Sequence, residues 1–317
     1  RPARRHPRLL RASRRSVDEA GDCGRSRAGA HWTARRHVRA TTLFIYFIAR
    51  YSFILTSRAS TIRRPPEGFE GAVAAGAKKA AMPPKKIFGL GVLSGCHIGF
   101  GAFLMLSIGG ACPGLAASNP GLQKIMLGAF GLPFGLFMTV MTGAELFTGN
   151  TALVTMAVNE GKATNADLRK SWIYSYLGNF VGSVFFAYLV FLGGTLSAAA
   201  APIAVASAKT SLAFMPAFVR GILCNWLVCM AVYVQSFAKD LTGKMVSIWF
   251  LISSFVALGL EHSVANMFII PLGIFSGAAV SWKAFLLKNL LPVTLGNIVG
   301  GAVAVAAVFS WAYGSKK

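Results

Sequence analysis

The chain has 317 residues, is 55% apolar, carries 13% charged residues and has a formal net charge of +22. A soluble domain has about 25% charged residues, and the apolar residues here gather into stretches of the roughly 20 residues that cross about 30 Å of hydrocarbon, so a soluble protein is excluded. The positive charge does not indicate nucleic acid: residues 1–66 hold sixteen arginines, no lysine and three acids, whereas residues 67–317 hold fourteen lysines and two arginines.

That switch from arginine to lysine marks a boundary between two kinds of sequence near residue 66. Segment 1–40, rich in Arg, Ser and Ala and poor in acids, has the composition of an organelle transit peptide; an error in the gene model is the other reading. The apolar run Leu43–Ile48 is broken by Arg50 and is too short to span a membrane. Residues 1–66 are therefore expected to be disordered, and residues 67–317 form the membrane domain.

After a lead-in carrying Lys78, Lys79, Lys85 and Lys86, six spans are predicted in chain order. Span 1 is Ile87–Gly110. Span 2 runs from about Ile125 to Val158, too long for one helix, and contains Gly143, Glu145 and Asn150 at membrane depth. Spans 3 and 4 are about Trp172–Gly194 and Pro216–Ala238. Span 5 runs from about Met245 to Ser276, again too long, with Gly259, Glu261 and Asn266 in its middle. Span 6 is about Asn289–Tyr313.

Gly143, Glu145 and Asn150 correspond to Gly259, Glu261 and Asn266 at an offset of 116, and Leu177–Gly182 resembles Leu295–Gly300 at an offset of 118. Spans 1–3 and 4–6 thus read as two copies of one unit. An odd number of spans forces the copies into opposite orientations, and paired interrupted helices point to a midplane substrate path. Irregular backbone at that depth is tolerated only inside protein or along a cavity. With the N-terminus inside, eleven basic residues fall on the inner side and four on the outer, which places both termini on the cytosolic or stromal face; the sequence does not separate a plastid envelope from a plasma membrane. Five cysteines lack metal or CxxC spacing; they read as small apolar residues, and no metal or cofactor is expected.

Gly143–Asn150, Gly221–Cys229, Leu260–Gly273 and Asn289–Gly301 closely resemble the formate/nitrite transporter family, in order over about residues 69–314, with wording nearest to algal members that handle nitrite or bicarbonate. The resemblance implies an all-α, aquaporin-like six-helix protomer, a homopentamer in the lipid bilayer, and one pore per protomer for small monovalent anions and protons.

An ionisable side chain inside a membrane is a functional hypothesis by default, and His262 matches the family's central histidine. A permanently charged ring there costs about 2.5–3.5 kcal/mol or more, so it is expected to rest neutral and to donate a hydrogen bond or a proton to an arriving anion. By the same resemblance, Thr148 meets the substrate or the histidine, and Asn266 orients the ring or donates to substrate. Asn225 either lines the pore or glues helices. Lys209 either focuses anions at an outer vestibule or is a solvated loop charge. Leu136, Leu146, Phe147 and Phe255 match the apolar constrictions; Leu132 stands where the family often has phenylalanine. Glu145 and Glu261, symmetric at the breaks, read as structural, either accepting from freed backbone donors or sitting at a helix N-terminus. His97 reads as helix packing or vestibule lining, and Arg220 is assigned no role.

The competing readings are an aquaporin-like channel for neutral solutes and an ammonium channel. The first lacks paired Asn-Pro-Ala motifs, since the sole Asn-Pro is Asn119-Pro120, and the second would need His97 to meet His262. No nucleotide loop, nucleophile elbow or metal-ligand cluster suggests an enzyme.

Overall fold

The structure, a computed structural model, describes residues 62–196 and 200–315. The readings placed on residues 1–61 lie outside the described residues. Residues 62–66 do not stand apart from the membrane domain as the composition boundary implied. Ile62 forms a β-bridge with Ala238. The Arg63 amide donates to Phe237 O (3.0 Å) and its guanidinium to Ser236 O (2.5 Å), and Arg64 donates its amide and its Nε to the Glu67 carboxylate at 3.3 and 2.8 Å. These two arginines are recruited as backbone partners, a role that composition cannot reveal.

Apart from that bridge, every regular element among the described residues is helical. In order they are α1 (Pro65–Ala80), α2 (Pro84–Ile108), α3 (Pro113–Ser118), α4 (Pro120–Ala129), α5 (Leu132–Thr142), α6 (Phe147–Asn159) and α7 (Asn165–Gly193). Then come α8 (Ala200–Thr210), α9 (Phe214–Val234), α10 (Leu241–Ala257), α11 (Ser263–Phe275) and α12 (Trp282–Tyr313), the last with two π-helical segments. Among the described residues, five stretches are long and apolar enough to cross a membrane: Pro84–Ala111, Pro120–Thr142, Asn165–Gly193, Phe214–Val234 and Trp282–Tyr313. The predicted span 5 is divided into α10 and α11, each too short for that criterion, and the predicted span 2 becomes α4, α5 and α6.

Both breaks have one local cause. Gly143 and Gly259 adopt left-handed backbone angles (φ 72° and 68°), which end a helix at little cost only in glycine. The next amides turn back onto the helix they leave: Ala144 N donates to Thr139 O and Leu260 N to Phe255 O. Leu146 and His262 then lie in extended conformation as N-caps of α6 and α11.

These two half-helices occupy the centre. Every residue from Phe147 to Val154 and from Ser263 to Gly273 is buried, as befits helices apolar on all sides. Around them, α2 packs on α7 and α9 on α12 through glycines. A Cβ on Gly182 would collide with the Val92 carbonyl, and one on Gly296 with the Phe218 carbonyl; close backbone approach of this kind holds helices together where lipid removes the hydrophobic drive. Outward, α7 presents Ile173, Leu177, Val181, Phe185 and Leu189 as an exposed apolar stripe, the surface expected of a helix facing lipid or another membrane helix.

Candidate functional site

Each break is held by the same two devices. The first is a backbone clamp. Asn179 on α7 accepts the Phe147 amide at 2.9 Å and donates to the carbonyls of Gly91 (2.8 Å) and Glu145 (2.9 Å). Asn297 on α12 accepts the Ser263 amide at 2.8 Å and donates to Gly221 O (2.8 Å) and Glu261 O (3.0 Å). Helix ends leave backbone groups unsatisfied, and inside a membrane protein no water replaces them. The freed donors thus go to these asparagines, so of the two structural jobs expected of the glutamates, accepting backbone donors is not the one they do.

The second device is a buried ionic bracket. Glu145, 1% exposed, takes Lys79 Nζ at 2.6 Å and Asn150 Nδ2 at 2.7 Å. Glu261, 2% exposed, takes Lys209 Nζ at 2.8 Å, Asn266 Nδ2 at 2.7 Å and Asn289 Nδ2 at 3.1 Å. Lys209 sits on α8 and not in a free loop. Asn266 donates to Glu261 and to Asn289 Oδ1 (2.8 Å), so its amide is engaged away from the imidazole.

His262 is where the two units meet. Its Nδ1 accepts the Ala265 amide at 3.0 Å, and its Nε2 lies 3.0 Å from Thr148 Oγ1. A ring nitrogen that accepts carries no proton, so in the neutral ring this network puts the hydrogen on Nε2. Nε2–H then donates to Thr148 Oγ1 and leaves the threonine hydroxyl hydrogen for another acceptor. The Phe255 ring stacks on the imidazole with centroids 5.9 Å apart. Asn225 ties the neighbourhood together by donating to Asn297 O (2.6 Å), Thr151 Oγ1 (2.9 Å) and Thr148 O (3.3 Å).

Three voids share walls in sequence. A cavity of about 430 Å³ is lined by Lys209, Arg220, Glu261, Asn266, Leu132, Phe255 and His262. Leu132, Phe255 and His262 also wall a chamber of about 10 Å³, whose far side is Leu136 and Leu146. Those two leucines in turn border a cavity of about 190 Å³ that contains Lys79, Gly149 and Asn150. A wide mouth, a narrow apolar waist and a second mouth therefore follow one another past the imidazole. The waist holds barely one water by volume.

The family model for the formate/nitrite transporter matches residues 66–311. The chain belongs to the formate/nitrite transporter family. A probable formate transporter of Methanothermobacter thermautotrophicus is 39% identical over 274 residues, covering 80% of this chain and 98% of that protein. Among solved structures, an FNT family ion channel superposes with TM-score 0.71 at 31% identity, covering 78% of this chain and 98% of the other. A pentameric formate channel with formate bound superposes with TM-score 0.64 at 30% identity, covering 73% and 97%.

This family member is thus an integral, multi-pass membrane protein. Of the residues singled out from its sequence, the structure brings His262, Thr148, Asn225, Asn266, Glu261 and Lys209 into one neighbourhood. Leu136, Leu146 and Phe255 stand at the waist. Phe147 does not: its ring packs edge-on against Trp172 and Tyr176. His97 lines none of the three voids. Sequence reasoning missed Lys79, which it counted only as a flanking charge, and it missed the clamp role of Asn179 and Asn297, although their shared Leu-Gly-Asn context was visible as a repeat.

Proposed function

We propose that the chain forms the protomer of a homopentamer, with six membrane-crossing segments in an aquaporin-like inverted repeat and one pore per protomer for small monovalent weak-acid anions such as formate, nitrite and bicarbonate. The observation that carries the reading is His262 at the waist between two cation-bearing cavities, with Thr148 Oγ1 lying 3.0 Å from its Nε2. Support for the inverted repeat comes from Tyr176 and Thr294. They hold equivalent positions, 118 apart, and their hydroxyls lie 3.0 Å from each other. Two equivalent positions touch only where the axis relating the units passes between them. The Lys209 cavity is the outer mouth in this arrangement, and both termini lie on the cytosolic or stromal side.

An anion entering the waist sheds water, and the replacement donors are the Thr148 hydroxyl and, behind it, His262 Nε2–H. Hydrogen-bond donation needs nothing more. Full proton donation needs a second proton on the ring, and Nδ1 is occupied by the Ala265 amide. Proton transfer to the anion therefore requires the first turn of α11 to release the ring. A flux panel in proteoliposomes at two pH values, with formate, nitrite, bicarbonate, glycerol and methylammonium, tests the reading. Flux of the weak-acid anions, and not of glycerol or methylammonium, is expected. Transport of glycerol or methylammonium alone would assign the pore to neutral solutes or ammonium.

A further inference from the structure

The Lys209 cavity is far larger than a three-atom anion needs. Its volume of about 430 Å³ compares with roughly 30 Å³ for a water in the liquid. Its walls are largely apolar and include Met105, Leu127, Leu132, Val205 and Leu212. Three charged side chains border it: Lys209, Arg220 and Glu261. Lys209 and Glu261 cancel through their ion pair. The exposed Arg220 makes no side-chain hydrogen bond or ion pair among the described residues, and its backbone carbonyl accepts the Glu261 amide. One unpaired guanidinium thus stands at the edge of an apolar bowl.

The bowl ends in a neck. Leu132, Phe255 and His262 separate it from a chamber of about 10 Å³, which is near the minimum that holds one water. A ligand with an anionic head and an alkyl tail fits the bowl and cannot enter the neck.

We propose that the Lys209 cavity is a binding site for amphipathic monoanions with short unbranched alkyl tails, which seat the head on Arg220 and the tail on the apolar wall, and so plug the pore without crossing it. The plugging part rests on the channel reading above; the binding part does not. Arg220 suits a planar or tetrahedral oxyanion head because its guanidinium presents a fixed fork of donors. The tail supplies affinity by burial, so each added methylene tightens binding about three- to four-fold until the bowl is full.

The test uses the full chain in detergent and pentane-1-sulfonate, whose head stays ionised. Calorimetric titration compares the propane, butane and pentane homologues, with pentyltrimethylammonium as the control of opposite charge. Affinity should rise with chain length for the sulfonates, fall about ten-fold or more in Arg220→Gln, and be absent for the cation. Ala208→Phe, a substitution in the wall that keeps every charge, should weaken the longer sulfonates most. Equal binding of the cation, or unchanged affinity in both variants, would show non-specific partition and overturn the site. In proteoliposomes, pentane-1-sulfonate added on the Lys209 side should inhibit formate flux in the wild type and much less in Arg220→Gln. Sulfonate binding with no inhibition of a measurable formate flux would overturn the plugging part. Absence of any formate flux would instead overturn the channel reading and leave the binding result standing.

Discussion

The two broken-helix units share a scaffold and differ in the residue that caps the outgoing helix. In each, a left-handed glycine ends the incoming helix, an asparagine from the third long helix clamps the break, and a glutamate takes a lysine and an asparagine. The residue that caps the outgoing helix is Leu146 in the first unit and His262 in the second. What is duplicated maintains the break; the capping imidazole, which is not duplicated, is the group we propose meets the anion. The contrast separates structural from functional residues without reference to any relative, and it can be attacked at each level.

The largest effects belong to the duplicated parts. Removing one partner of a buried ion pair costs about 3–5 kcal/mol. The lower end applies here, because Lys79 and Lys209 are 21% and 16% exposed and water screens them in part. Glu145→Leu and Glu261→Leu should therefore lower the melting temperature in detergent by similar amounts. Pairing them with Lys79→Met and Lys209→Met should restore much of the loss. If one glutamate proves dispensable for folding and the other does not, the units are not mechanically equivalent.

The unshared position should behave in the opposite way, sparing the fold and harming transport. His262→Asn keeps a donor of similar size and cannot exchange a proton. The shorter amide does not place that donor where Nε2–H meets Thr148 Oγ1, and breaking this chain of donors toward an anion corresponds to about 1.5–3 kcal/mol, or about ten-fold or more in flux, with the oligomer intact on size exclusion. If the variant carries formate at reduced rate with an unchanged pH profile, donation without transfer is the mechanism. A changed pH profile points to proton transfer, and an unchanged rate removes the histidine from the mechanism.

The equivalence of the units was partly legible in the sequence, and the reason lies in chain geometry. Glycine, glutamate and asparagine at the breaks recur at one offset of 116, because the capping turn and the first helical turn after it tolerate no insertion. The partners escaped because they sit on other helices at other offsets. Lys79 and Lys209 are 130 apart, and so are Gly91 and Gly221. The difference comes from α3 and α4, which lengthen the connection between α2 and α5 beyond the short one between α9 and α10. A lysine at the end of a Lys-rich lead-in also looks like any other flanking charge, and nothing local in sequence says that it folds back onto Glu145. Phe147 misled for a similar reason: its position after the break is shared with Ser263, but its ring turns to Trp172 and Tyr176 instead of the waist.

Smaller effects should follow from the lysines at the two mouths. Lys209→Gln removes the partner of Glu261 and leaves the larger cavity less positive. Formate flux should fall about two- to five-fold at low ionic strength, the reach of a partly exposed charge worth about 0.5–1 kcal/mol. The deficit should shrink as salt shortens the Debye length to about 10 Å at 0.1 M. Glu261→Gln in the same chain should recover flux by restoring the local balance. An equal deficit at every salt concentration would assign Lys209 to the scaffold alone.

The smallest expected difference lies at the starts of the third long helices. In the first unit, Thr164 and Asp167 form a capping box at the head of α7, and Lys170 adds an ion pair at 2.8 Å. In the second, Ser281 caps α12 by accepting the Ala284 amide, and no carboxylate takes part. The Lys170 and Thr164 hydrogen bonds pull the Asp167 carboxyl down to about 2. A carboxylate with a folded value below its unfolded one of about 3.8 stabilises fully above that unfolded value, and the contribution is lost as pH falls from about 4 toward 2. Acid sensitivity of this origin therefore belongs to the first unit only. Asp167→Asn should cost about 1 kcal/mol or less at pH 6, and the gap to wild type should narrow in melting curves taken at pH 3. Ser281→Ala should cost a comparable amount with no such narrowing. If Asp167→Asn tracks the wild type in parallel from pH 6 to pH 3, the carboxylate is not ionised in the cap, and the two helix starts are alike after all.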